Sequence, residues 1–377
     1  MNPLIELKTA TPSLLITLAL LCFGLSPRAQ ALLPPPAPDG GYPGANTAEG
    51  TSALFNLTSG INNTAVGASA LTHNTTGAYN VAVGSGALRS NITGSFNMAV
   101  GTEALRDNTA SSNLAIGFRV LFKNTTGRHL TGIGAGALQN NTTASFNTAI
   151  GTSALQDNTT GINNTAIGAD ALAQNTIAEG NTATGAFALY SNTEGDFNTA
   201  NGEFTLYFNT IGLRNTAIGD SALYLNTEGN RNTAIGNTAL LNNTVGDDNT
   251  ANGVGALRNN NTGIVNTAMG SQALASNTDG TSNTATGVDA LRGTTTGSGN
   301  TATGYQALLH HDTGDYNTAI GLFALGSLTT GSRNTGLGRS AGTSVITADD
   351  VICIGNGISG ANVSNSCYIG SIFGQTS

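Results

Sequence analysis

Asn147-Thr-Ala-Ile-Gly-Thr-Ser-Ala-Leu-Gln-Asp-Asn-Thr-Thr-Gly-Ile-Asn163 is followed at once by Asn164-Thr-Ala-Ile-Gly-Ala-Asp-Ala-Leu172. The second stretch restates the first at a spacing of 17 residues, and that spacing decides the fold. Outward from this pair, the same Gly recurs from Gly50 to Gly355 as 19 glycines and 18 intervals. Seventeen intervals are 17 residues long, and the one after Gly101 is 16, with the residue missing within Thr109–Ser112. With this Gly as position five, the unit reads N-T-A-I-G-x-x-A-L-x-x-N-T-T-G-x-x. Position one is Asn except at Leu130 and Val351, and position eight is Ala except at Val120, Thr205 and Ile358. Position nine is Leu except at Gly342 and Ser359.

Seventeen residues are too few for two packed helices and a turn, since helical repeats run to about 30–45 residues. N-T-A-I-G is rich in strand formers and ends on a Gly. N-T-T-G reads as a turn in which Asn and Gly tolerate left-handed backbone. Ala-Leu between them leaves room for one more short strand. The expectation is an all-β fold, a parallel β-solenoid of the β-roll kind, with about 19 coils. At roughly 4.8 Å per coil the rod is about 85 Å long.

Stacking places identical residues above one another. Asn63, Asn80, Asn97, Asn147, Asn164, Asn215, Asn232 and Asn266 at position one are expected to form a hydrogen-bonded ladder. Gly67, Gly84, Gly101, Gly151, Gly168, Gly219 and Gly236 mark the turn at position five. Leu71, Leu88, Leu105, Leu138, Leu155, Leu172, Leu223 and Leu240 at position nine are the expected core. Position four, as in Val66, Ile150, Ile167, Ile218 and Ile235, is expected to join them. On that reading Thr184, Asn201, Asn252, Thr286 and Thr303 put polar groups into the core and weaken it. Apolar residues come in adjacent pairs, and neighbours on a strand point to opposite faces. One face fills the interior and another chain covers the other, so a homo-oligomer is expected.

Composition agrees with stacking. Charged residues are 9% of the 377, against about 25% for an ordinary domain, and the net charge is −8. A charge in a column would meet its own copy at every rung. Lysine occurs only at Lys8 and Lys123, which argues against nucleic acid as a partner. The 51 glycines are mostly turn punctuation.

Residues 1–31 read as a secretory signal peptide. Lys8 supplies the positive start, and Leu14 to Leu25 is an apolar run of 12 residues, short for a membrane span. Pro27 ends it, and Ala29-Gln30-Ala31 is a cleavage site. The mature chain is therefore expected to be secreted or at the cell surface, without a membrane span. Residues 32–45, with Pro34-Pro35-Pro36, Pro38 and Pro43, read as a stiff linker. Residues 46–342 are the repeat domain, and 343–377 are degenerate final coils and a C-terminal segment. Cys353 lies two residues before Gly355 and Cys367 three before Gly370. Their side chains should face opposite ways, as two free, buried thiols.

The unit N-T-A-I-G-x-x-A-L resembles the N-S-V-A-I-G repeat of YadA-like trimeric autotransporter adhesin heads. The match covers Asn46 to about Gly370. The resemblance implies a left-handed parallel β-roll, a homotrimer, and adhesion to host or matrix surfaces. The repeat is longer than is common in those heads, and neither their coiled-coil stalk nor their β-barrel anchor is expected from this sequence. Val351 to Ser377 resembles a segment that, in bacterial proteins with such repeats, precedes an intramolecular chaperone domain like that of phage tail spikes. The expectation is a truncated relative of those proteins, or a coding sequence that runs on past Ser377.

Several motifs look chemical and fall in phase with the repeat. Gly219-Asp-Ser-Ala-Leu223 evokes a serine hydrolase, but its Gly, Ala and Leu are positions five, eight and nine. Gly132-Ile-Gly-Ala-Gly136 evokes a dinucleotide loop without the following helix. His310-His311-Asp312 reads as a variable loop rather than a metal site. Glu194, Asp196, Glu228, Asp247, Asp248, Asp279 and Asp315 read as solubilising charges at coil corners. Sequons such as Asn74-Thr-Thr76 and Asn158-Thr-Thr160 arise from the repeat. No catalytic residue, cofactor or metal is expected. The expected function is an adhesin-like rod that attaches to a cell surface or matrix. The alternative is a structural spacer or fibre shaft, and a minor one is ice binding through Thr at position two, present in 15 of 19 units.

Overall fold

A computed structural model describes residues 42–370. The expected signal peptide at 1–31 and most of the expected linker lie outside those residues. The described chain is one parallel sheet of 20 strands, each three residues long, from β1 (Thr47–Glu49) to β20 (Cys367–Ile369). Like pairs with like: Thr148, Ala149 and Ile150 sit beside Thr165, Ala166 and Ile167. Nineteen steps at about 4.8 Å make a rod of roughly 90 Å.

Each coil has one strand, not two. Ala-Leu at positions eight and nine forms a tight corner in which Leu155 and Leu172 have φ of 50° and 51°. Left-handed backbone costs an L-residue about 1–2 kcal/mol. Complete burial of a leucine side chain, about 1.5–3 kcal/mol, offsets it. The coils hydrogen-bond through these corners as well as through the strands. The Leu155 N–H donates to Ala171 O (3.0 Å), and the Thr159 N–H donates to Thr176 O (2.9 Å).

The core differs from expectation at one column. The leucines at position nine are fully buried, and so, beyond the first coil, are the alanines at positions three and eight, such as Ala149 and Ala154. Position four faces out: Ile150 is 37% exposed and Ile218 41%. A strand must send alternate side chains to opposite faces. The inward leucine leaves space only for a methyl at position three, so Ala goes in and Ile goes out. Thr184, Asn201, Asn252, Thr286 and Thr303 therefore face outward and put no polar group in the core.

Departures from the consensus compensate one another across coils. Val120 replaces Ala at position eight, and Gly132 replaces Ala at position three of the next coil. A Cβ on Gly132 would sit 2.4 Å from Val120 Cγ1. Leu325 likewise fills the space left by Gly336 and Gly342, whose Cβ atoms would lie 2.7 and 2.5 Å from its side chain. Thr205 at position eight satisfies its hydroxyl on Gly219 O (2.8 Å).

The first coil is capped. Tyr42 and Asn46 form a bridge, Asn46 Nδ2 donates to Pro43 O (2.7 Å), and Gly44 O accepts from the Asn62 N–H (2.8 Å). Residues 42–45, expected as linker, thus fold back as a cap. At the other end Asn362 Oδ1 accepts from the N–H groups of Ile346, Thr347 and Ala348, each at 2.9 Å. Ile352 pairs with Cys367, a final coil of 15 residues. Cys353 is buried beside Tyr368, whereas Cys367 is exposed and not the buried thiol expected; both are free. The strand register points them to opposite faces.

Candidate functional site

Two amide ladders define the coil. At position one, Asn63 Oδ1 accepts from the backbone N–H and the Nδ2 of Asn80, both at 3.1 Å. Asn63 Nδ2 donates to Gly77 O of its own coil (2.9 Å). The other seven asparagines named for this column are equally buried. Leu130 and Val351 interrupt it without losing the backbone contact, since their N–H groups donate to Asn113 and Asn334.

The second ladder lies at position twelve, where N-T-T-G reads only as a turn. Asn158 Nδ2 donates to Asn141 Oδ1 (3.1 Å) and to Gly161 O (3.0 Å), and Asn158 Oδ1 accepts from Asn175 (2.8 Å). Gly161 O also accepts from Asn147 Nδ2 (2.8 Å), so both ladders meet on one carbonyl. At position fifteen, where Ala144 and Ala178 also occur, glycine eases a close approach: a Cβ on Gly161 would lie 2.3 Å from Ala178 O. Its backbone is not left-handed. That conformation falls at positions seven, nine and seventeen instead. The signal for the second ladder was the constancy of Asn at this position, which a turn alone does not require.

The 16-residue coil drops position fourteen, on the exposed corner. Ala110 O takes the place of the position-fifteen carbonyl and accepts from Asn97 (2.8 Å) and Asn108 (2.9 Å). Asn91 Oδ1 is left without a partner. The ladder also changes character at Thr294 and His311. Asn317 Nδ2 donates to His311 Nε2 (3.0 Å), so His311 Nδ1–H donates to Thr294 Oγ1 (3.1 Å). Burial drives the His311 pKa from 6.5 down to about 4 against the pull of Asp312 and Asp315. His310 is exposed, so the two histidines face different environments.

The outside of the rod carries columns too. Asp196, Asp247 and Asp315, expected as solubilising charges, each accept a backbone N–H from the preceding coil at 2.7–2.8 Å. Asp248 pairs with Arg231 (2.7 Å). Tyr190, Tyr207 and Tyr224 stack with ring centroids 5.2 and 5.5 Å apart, a column that single-unit reading missed. Ser221 of the hydrolase-like motif sits in left-handed backbone with its hydroxyl on Asp220 (3.3 Å). Among the described residues, no three His, Cys, Asp or Glu gather as a metal site. No helix among them is long and apolar enough to cross a membrane.

The outer strand face runs the length of the described rod. Position two brings Thr, partly or fully exposed, and position four brings Ile, Val, Leu or Met over most of the length. Ile167, Ile218, Ile235, Met269, Ile320 and Leu337 are 37–47% exposed. Comparison with protein-family models and with curated proteins returns no match.

Proposed function

We propose that this protein is an exported, adhesin-like β-roll that attaches to a cell surface or matrix as a homo-oligomer, without catalysis. The outer strand face carries the reading. Its width from position two to position four is about 7 Å, and over roughly 90 Å it offers about 600 Å². That approaches the ~800 Å² per partner of a standard interface. A stripe of aliphatic side chains flanked by Thr hydroxyls suits burial against a flat partner. A second copy presents the same spacing, so register is kept along the whole length. The trimer itself rests on the resemblance to adhesin heads.

The test uses sedimentation of the mature protein and of an Ile218→Lys/Ile235→Lys variant. The wild type is expected as an oligomer at micromolar concentration, and the variant as a folded monomer. Binding to a panel of cells, matrix proteins and glycans then tests attachment. A wild-type monomer that binds nothing on the panel would overturn the proposal. One observation favours ice as a second reading: β9 (Thr182–Thr184), β15 (Thr284–Thr286) and β16 (Thr301–Thr303) present Thr-x-Thr outward. Thermal hysteresis of the purified protein measures it.

A further inference from the structure

The corner carrying positions seven, ten and eleven has a side-chain ridge along the rod, broken where position ten is glycine, at Gly326 and at Gly360 in the last coil. Position ten bears Arg106, Gln139, Tyr207, Arg258 or Leu309, but Gly326 has no side chain. Its backbone does not require glycine. Gly326 has no left-handed φ, and its N–H donates to Phe323 O as Gln156 N–H does to Ser153 O. The missing side chain, with the small Ser327 beside it, opens a notch of about 270 Å³. The coil before supplies Gln306, Leu309 and His310, the same coil Phe323 and Ser327, and the coil after Thr343.

We propose that this notch is a binding site for one neutral hexopyranose ring of a glycan. Its volume falls just below the ~300–1,000 Å³ of drug-sized ligand pockets, which suits a single sugar ring. Phe323 is 37% exposed and is braced edge-on by Tyr305, with centroids 5.6 Å apart. It offers an apolar wall for the C–H face of a pyranose. Around it stand a carboxamide, an imidazole and two hydroxyls, matched to sugar hydroxyls in donors and acceptors. Gln306 is held in place by its Nε2 donating to Asp289 Oδ2 (3.3 Å). The lining carries no carboxylate, lysine or arginine, and nearby Asp289 is paired with Arg292 (3.5 Å), so nothing there selects a charged sugar. The notch lies off the outer strand face, so this site and the attachment reading can fail separately.

Saturation-transfer NMR on the mature protein tests it, with methyl glucosides, galactosides, mannosides and N-acetylglucosamine as probes. Transfer to ring protons is expected for at least one, with a Kd of about 1 mM for so small a contact. Gly326→Tyr fills the notch with the side chain that position ten carries at Tyr190, Tyr207 and Tyr224. It should weaken binding about tenfold or more. Phe323→Ser removes the wall and keeps a residue common at this left-handed position, as at Ser153. It should do the same. No transfer from any probe, or equal transfer in the folded variants, overturns the proposal.

Discussion

At the scale of single residues, glycine and histidine carry the sharpest consequences. Gly168 has φ of 140°, and a Cβ there would lie 2.4 Å from Gly185 O of the next coil. Gly168→Ala meets both strain and backbone collision, so a loss of about 3 kcal/mol or more is expected in denaturant unfolding. Gly136→Ser is the contrast. Its φ of 72° lies near the 56° of Ser153 in the next coil, and the nearest atom is a flexible Gln139 oxygen at 3.4 Å. It should cost only the left-handed strain, about 1–2 kcal/mol, without the collision. His311 makes stability pH-dependent. Its folded pKa, about 4, lies below the ordinary 6.5, so the unfolded chain binds the proton more readily. The contribution is whole above about pH 6.5 and falls away toward pH 4, by about 3 kcal/mol in all. Thermal midpoints of His311→Asn, which restores the ladder residue, should lose this part of the acid sensitivity.

At the scale of the coil, the amide ladders do what a larger core would do elsewhere. A short carboxamide both donates and accepts, so each rung satisfies the next, whereas a carboxylate would only accept. Asn158→Asp sets a carboxylate against Asn141 Oδ1 and Gly161 O. We expect it to cost about 3–5 kcal/mol at neutral pH. Acidification should recover part of that loss as the carboxyl takes up a proton, read by chemical unfolding at pH 7 and pH 4. The same burial closes the sequon Asn158-Thr-Thr160. Folded protein offered to an oligosaccharide-transfer system should stay unmodified at Asn158, while a chain glycosylated there before folding should fail to stack. Site mapping by mass spectrometry with circular dichroism reads both outcomes.

At the scale of the whole rod, each strand touches only its neighbours in sequence. Stability is then close to a sum of coils and nearest-neighbour terms. Hydrogen exchange should be slowest in the central coils and fastest at the two ends. Gly168→Ala should raise exchange in the coils around residue 168 and leave those beyond residue 300 unchanged. Uniform acceleration along the chain would mean that the rod unfolds as one cooperative unit.

Periodicity alone settled the stack, the parallel register, the need for glycine at position five and the low charge, because every residue of a repeated column must tolerate its own copy. It named the position-one asparagines and the position-nine leucines from constancy alone. It could not choose between Ala and Ile for the interior, since both are apolar and adjacent on a three-residue strand. Tertiary packing made that choice: leucine enters from a left-handed corner and leaves room for a methyl. Nor could one unit reveal that Asn158 is buried, since Asn-Thr-Thr-Gly satisfies a local turn as well as a ladder. The gap at Gly326 exists only because coils before and after it raise a ridge on either side.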